Sequence, residues 1–439
     1  MNADVIIEGA DILLTCDADH SILRGVSLAI SDGRIVAIAE EDEAGSWTSP
    51  QVIDAKGHLV MPGLVNLHTH LPMTLLRGVA EDVDLEGFLA KLWAVEAQVM
   101  DEAGTEIGAC LGAIEALLAG TTTTLDMYLH PHAAHRGAVK AGLRHVTGPV
   151  FFSFAGPDGM EWAERMAYAR NWPTWLDQIG GPSVPLALMP HCPQTVGPDG
   201  LAQIAELARE QGAIVHAHLS ETTAENARTV DEFGARPTAL MATSGLLALR
   251  PILAHGVHLD GSDREAIAAA GASIAHCPGS NLKLASGAAD IVAYRQQGIT
   301  VGIGTDGCSS SNDLDMFSAM RLAANLARLV HSDPAAISAK DVVRAATIDG
   351  ARALGMDALI GSLEVGKQAD LIVLDLAAAH LTPLRDPNAA LVYSAGRSDV
   401  RHVLVAGEVV VRDRMPLGVD LRGLLQQANE VVAAAQAAP

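Results

Sequence analysis

The sequence predicts an α/β fold: a (β/α)8 barrel of the TIM type, with a small β-sandwich domain built from both chain ends. Three observations predict it. The middle of the 439-residue chain alternates short apolar, β-rich runs with helix-like stretches. Residues 1–60 and 359–418, toward the two ends, are β-rich. Polar residues otherwise avoid the apolar runs of the middle and gather where those runs end.

In chain order, residues 1–60 read as short strands joined by turns: "DVIIEGADILLT", "GVSLAISDGRIVAIAE" and "QVIDAKGHLVMPG", with Asp32-Gly33 as a hairpin turn. They form the N-terminal half of the expected sandwich. Residues 61–358 carry eight β-rich runs: "GLVNLHTH", "TTTTLDMYL", "HVTGPVFFSF", "VPLALMPHC", "AIVHAHLSE", "PILAHGVHL", "ASIAHCPGS" and "TVGIGTDG". Helical stretches such as "EIGACLGAIEALLAG" and "DGLAQIAELAREQG" separate them and stop at Gly120 and Gly212. Eight strand–helix units is the count that closes a barrel. Residues 359–418 return to strands, with Ala406-Gly407 between two of them, and supply the second half of the sandwich. Residues 419–439 read as a terminal helix or tail.

Composition narrows the function. A formal net charge of −23 disfavours nucleic acid and anionic membrane surfaces as partners and suits a small-molecule substrate. Five cysteines with no CxxC pair read as reduced thiols, so a cytoplasmic location is expected. The start has no basic segment of a signal peptide, and no apolar run is long enough to span a membrane.

Barrels of this kind place their chemistry at the C-terminal ends of the strands. The polar residues there are His68 and His70, Asp126, His191, His218 with Glu221, His255, His276 and Asp306. His68 and His70 alternate along a strand, so both aim to one face. Two neutral imidazoles are natural ligands of a divalent metal, and a third histidine with a carboxylate leaves one position open for water. His218 and Asp306 supply those types. Taken alone, His68 and His70 also fit a hydrogen-bonded core pair, but the six matching strand ends argue against that.

These motifs resemble the amidohydrolase superfamily, most closely its methylthioadenosine/S-adenosylhomocysteine deaminase group and that group's chlorohydrolase-like relatives. The resemblance rests on "PGLVNLHTHLPMTLLRG", "AGTTTTLDMY", "HAHLSET", "LAHGVHL", "HCPGSNLKLASG", "GTDGCSSSNDLDMF" and "ATIDGARALGMDALIGSLEVGKQADLIVLDL", in the family's order over nearly the whole chain. It implies His68, His70, His218 and Asp306 as ligands of one divalent ion, zinc first, with iron or another transition metal as alternatives. It implies Glu221 as proton shuttle and His255 as the residue that polarises the attacking water, with Asp306 and His255 passing a proton to departing ammonia. It also implies contacts of Glu96 and His191 with a nucleoside, and a homodimer or homotetramer. Strand four, "VPLALMPHC", lacks the lysine or acid that bridges two metals in other members, so a single ion is expected.

The function so implied is hydrolytic deamination of an adenosine-type nucleoside: 5'-methylthioadenosine, adenosine or S-adenosylhomocysteine. A triazine, guanine or pterin hydrolase on the same scaffold is the alternative, and an inactive barrel serving as a binding or assembly module is the non-enzymatic one. Two departures bear on the substrate. Gln194 stands where an aromatic residue is usual. "FFSFAGPDGMEWAERM" has no arginine early in the loop, and Arg165 is expected too deep in the following helix to serve. The first removes a stacking partner; the second, since relatives that bind the homocysteine carboxylate use arginines there, favours a neutral adenosine derivative. Among the remaining residues, His216 is expected to pack beneath the site and Asp126 to brace a ligand or loop. His276 is expected in the core or against substrate, and His130, His132 and His135 on an exposed surface. Cys308 has no neighbour that would activate it.

Overall fold

The computed structural model describes residues 1–437. Its middle holds parallel strands in two sheets. One joins Arg144–Thr147, Thr121–Asp126 and Leu64–Thr69. The other runs Val150–Phe151, Ala187–Pro190, Ile214–Leu219, Ile252–His255, Ser273–His276 and Thr300–Ile303. The third run of the sequence is thus cut at Gly148-Pro149. Proline has no N–H to give to a ladder, and a Cβ on Gly148 would lie 1.9 Å from Ala187 O. Every residue of Leu64–Thr69 and Thr121–Asp126 is buried, so even their polar side chains, Asn66, His68 and the threonines, lie inside the fold. Beyond the last strand, Asp306 N–H donates to His68 O at 3.0 Å and links its end to the first.

The two chain ends share a sheet. Leu371–Asp375 pairs antiparallel with His58–Pro62, which also pairs with Ile12–Leu14. The boundary expected at 60/61 therefore falls inside a strand. A second sheet holds Arg34–Glu40, Val26–Ser31, Val5–Ala10 and Gln51–Asp54. Ile7, Leu28 and Ile30 of that sheet join Leu13, Val60, Leu371 and Leu404 of the first in one apolar cluster. Asp32-Gly33 and Ala406-Gly407 are hairpin turns, as read, each with two successive positive φ values. The two turns touch, because a Cβ on Gly33 would lie 2.6 Å from Ala406 O.

Arg144, at the start of its strand, ties the parallel sheet to the terminal one. Its Nε and Nη2 donate to Asp370 at 3.0 and 2.9 Å, Nη2 also to Gln368 Oε1, and Nη1 to Ser183 O. The helix Leu421–Ala437 packs against Glu102–Leu118 and buries Ala428. Among the described residues no helix is long and apolar enough to cross a membrane.

Candidate active site

The strand ends bring His68, His70, His218, His255 and Asp306 together. Asp306 Oδ1 lies 3.1 Å from His70 Nε2 and 3.5 Å from His68 Nε2, and His218 Nε2 lies 3.4 Å from His70 Nε2. The other nitrogen of each ring is already engaged. His68 Nδ1–H donates to His216 Nε2 at 2.7 Å, and His216 Nδ1–H donates to Ile252 O at 2.8 Å. His70 Nδ1–H donates to Met127 O, and His218 Nδ1–H to His191 O at 2.7 Å. These bonds fix the tautomers and turn the Nε2 lone pairs toward one point. His68 Nε2 is buried with no hydrogen-bond partner, and the ligand atoms of His68, His70 and His218 lie within 4.8 Å of one another. Three imidazoles and a carboxylate so arranged suit a divalent ion.

The electrostatics agree. Burial pushes His68 down to about 4 and His218 well below its usual value, so both stay neutral ligands. His70 differs: burial opposes charge there too, yet Asp306 lifts it to about 9, so its Nε2 holds a proton beside the carboxylate that a bound cation would displace. Asp306 is itself held well below the carboxylate range: burial would raise it, but its contacts with His68 and His70 prevail.

Glu221 comes next in the cavity through a strained turn. Ser220 has φ 49°, His255 φ 69° and Asp306 φ 65°, left-handed conformations that residues with a Cβ adopt at a cost. A misplaced helix cap holds the first of these turns. Thr222 Oγ1 accepts from Glu225 N as an ordinary N-cap, but the Glu225 carboxylate reaches back past it to Ser220 N and Glu221 N, at 3.1 and 2.7 Å. Glu221 is buried, which raises its pKa; it accepts from Ser286 Oγ at 3.0 Å and lies 3.6 Å from His255 Nε2. Asn281 Oδ1 accepts from His255 Nδ1–H at 2.9 Å.

His70, His218, Glu221, His255 and Asp306 line one cavity of about 430 Å³, together with Glu96, His191 and Glu225, while His68 lies fully buried beneath it. Glu96, on the helix Leu85–Val99, is 4% exposed; Tyr128 O–H donates to it at 2.7 Å, and burial lifts it to about 7. His191 Nδ1 pairs with Thr195 Oγ1 at 3.0 Å, and burial pushes its ring down to about 3. Phe88, Leu89, Trp93 and Phe152 form the apolar wall.

Elsewhere the expectations divide. His216 lies directly under His68, and Asp126 braces the loop after the first strand by accepting from Thr69 Oγ1 and Leu71 N. His276 is buried and does not line the cavity. Cys308 is buried, which pushes its thiol well up. Two readings need correction. His135 is not on the surface: it is 1% exposed, facing His145 from the helix Pro131–Lys140. Arg165 is not deep in its helix: it is the fourth residue of Trp162–Ile179, buried, and bound to Asp158. Sequence reasoning missed Tyr128, Glu225, Asn281 and Ser286. Only Glu225 carried a signal, the Thr-x-x-Glu spacing of a capping box.

Three imidazoles and a carboxylate converge at parallel strand ends beside a buried glutamate, an arrangement that suits metal-dependent hydrolysis. The chain belongs to the amidohydrolase family, whose model its residues 59–410 match. It is 40% identical over 434 residues, 98% of this chain and 95% of the relative, to a 5-methylthioadenosine/S-adenosylhomocysteine deaminase of Halobacterium salinarum. A solved adenosine deaminase from Xanthomonas campestris with bound zinc is 36% identical, with a TM-score of 0.95 over 100% of this chain and 99% of that one. A zinc-bound atrazine chlorohydrolase from Arthrobacter aurescens is 25% identical, with a TM-score of 0.88 over 98% and 100% of the two chains.

Proposed function

We propose that this chain is a zinc-dependent aminohydrolase that replaces the exocyclic amino group of an adenosine-type nucleoside by oxygen and releases ammonia. The observation that carries the reading is the convergence of three oriented Nε2 lone pairs and Asp306 beside Glu221 in one cavity. The deaminase names of relatives at about 40% identity support it. His68, His70, His218 and Asp306 would hold a single zinc ion, which when bound supplies the Lewis acidity that brings the pKa of water from 15.7 to about 7.

The chain's own residues do the rest. Glu221 takes a proton from the attacking water and delivers it to the ring nitrogen; a burial-raised carboxyl can hold that proton between the two events. His255, anchored by Asn281, aligns and polarises the water. Once water oxygen has bonded to the amino-bearing carbon, Asp306 and His255 direct a proton to the departing amino group, and the product keeps the oxygen as a lactam. Glu96 accepts hydrogen bonds from the nucleoside, and His191 offers Nε2 because Thr195 occupies Nδ1.

The substrate is a neutral adenosine derivative, methylthioadenosine or adenosine, ahead of S-adenosylhomocysteine. The wall beyond the polar centre is apolar, and the nearby cations are already paired, Arg165 with Asp158 and Arg228 with Glu86. The same reading joins the two parallel sheets into one closed (β/α)8 barrel over residues 63–358, with a sandwich from 1–62 and 359–418 and a helix that follows it; positions 438 and 439 lie outside the described residues. It takes the protein as a cytoplasmic homo-oligomer. Ammonia release from a panel of aminopurine nucleosides, guanine, pterins and triazines tests the function. Release from adenosine or methylthioadenosine, with about one zinc per chain, is expected. Turnover of only triazines, guanine or pterins overturns the nucleoside reading, and absence of bound metal overturns the enzyme.

A further inference from the structure

The histidines of "HPHAAH" do not act as a unit. His130 and His132 are half-buried, whereas His135 turns inward and lies nearly parallel to His145, with ring centroids 5.4 Å apart and an interplanar angle of 28°. Their Nδ1 atoms are 3.1 Å apart and share a hydrogen bond, and His135 Nε2 reaches Gly180 O at 3.2 Å. On its other side His145 Nε2 pairs with Asp126 Oδ2 at 3.0 Å. Asp126 Oδ1 accepts from Thr69 Oγ1 at 2.8 Å and Leu71 N at 2.6 Å. The next residue, Met127, accepts from His70 Nδ1–H.

Asp126, the last residue of its strand, and Met127 just beyond it thus grip Thr69, His70 and Leu71 where the neighbouring strand ends, and the gripped residue in the middle is His70. A carboxylate held only at Oδ1 could swing about its side-chain torsions and carry Thr69 and Leu71 with it. His145 prevents this by fixing Oδ2, and His135 fixes His145. Asp126, His145 and His135 are 0%, 0% and 1% exposed, so water cannot replace any of these contacts. We propose that His145 and His135 are positioning residues that act through Asp126 to aim His70 at the metal. The inference rests on the proposed zinc site. Partners behind a ligating histidine ordinarily tune metal affinity, because they set ring orientation; here that influence extends two imidazoles further from the ion.

Zinc dissociation constants, from chelator competition on the metal-free full-length chain, test this beside the melting temperature of the same preparations. Asp126→Asn should weaken zinc binding about tenfold or more, and His145→Phe by about threefold to tenfold. The double variant should bind no more weakly than Asp126→Asn alone, because His145 acts through the same carboxylate. Arg144→Met, one residue away on the same strand, should lower the melting temperature and leave zinc affinity unchanged. Zinc affinity within about twofold of wild type in His145→Phe, additive losses in the double variant, or an equal loss in Arg144→Met would each overturn the proposal. Should His145→Phe not fold, His135→Phe reads the chain from its far end, and a wild-type affinity there overturns it equally. A wild-type chain that binds no zinc defeats the metal reading itself, and the positioning role with it.

Discussion

Two buried polar clusters occupy opposite ends of the parallel strands. At the strand starts, Arg144 meets Asp370, Gln368 and Ser183, and Ala406 N–H donates to the same Asp370 carboxylate. Each guanidinium nitrogen has an acceptor. At the strand ends, His68, His70 and His218 each use Nδ1 and turn Nε2 to a shared point, where His68 Nε2 has no hydrogen-bond partner at all. Stability asks that buried polar atoms be paired, and the first cluster complies. The second leaves electron pairs free and adds left-handed backbone at His255 and Asp306. The difference separates a cluster that holds two parts of the fold together from one arranged to take up an ion.

Substitutions should break the two clusters in different ways. The largest effect on chemistry is expected from His218→Ala, which should lose metal and activity together; metal content by atomic absorption checks it, and an active, fully loaded variant would remove His218 from the ligand set. Glu221→Gln should keep its zinc while turnover falls about 10²–10⁴-fold, the range for losing general acid–base catalysis. Normal turnover would show that the proton takes another route. Arg144→Ala should do the reverse. Leaving Asp370 buried and unpaired should cost about 3–5 kcal/mol of stability, measured by denaturant unfolding, while the folded fraction keeps its kcat and zinc. A loss of zinc in that variant would mean that the two ends are coupled.

The same contrast explains what could be read beforehand. The strand ends were legible because a polar residue is conspicuous at the close of an apolar run: His68, His70, His218, His255 and Asp306 all stood out this way and all meet. The Arg144–Asp370 pair was not, since its partners lie 226 residues apart and each looks like an ordinary surface charge. His135 was misplaced for a related reason. A histidine near the start of a helix carries no mark of which face it occupies, and burial came from His145, ten residues on. Arg165 was misjudged because the helix begins only at Trp162, after "GPDGME". Tyr128, Asn281 and Ser286 gave no signal, because each matters through one hydrogen bond to a distant residue.

Glu96 sharpens the comparison most finely, since it is buried like Asp370 but takes its hydrogen bond from a tyrosine hydroxyl where Asp370 takes it from a guanidinium. Burial lifts it to about 7, against a usual value of 4.5, and the hydrogen bond from Tyr128 offsets only part of that rise. Between those two values the folded chain binds a proton that the unfolded chain does not, so the stability contributed by Glu96 is present at low pH and is lost as pH rises through about 7. Substrate binding should run the other way. A carboxylate accepts hydrogen bonds with both oxygens and the protonated acid does not, so kcat/KM should climb as pH rises through the same range. In Glu96→Gln that limb of the pH profile should flatten, with KM raised and kcat little changed, because Glu96 touches the nucleoside and not the reacting carbon. An unaltered profile in Glu96→Gln would place the titrating group elsewhere in the cavity and leave Glu96 a buried acid with no part in recognition.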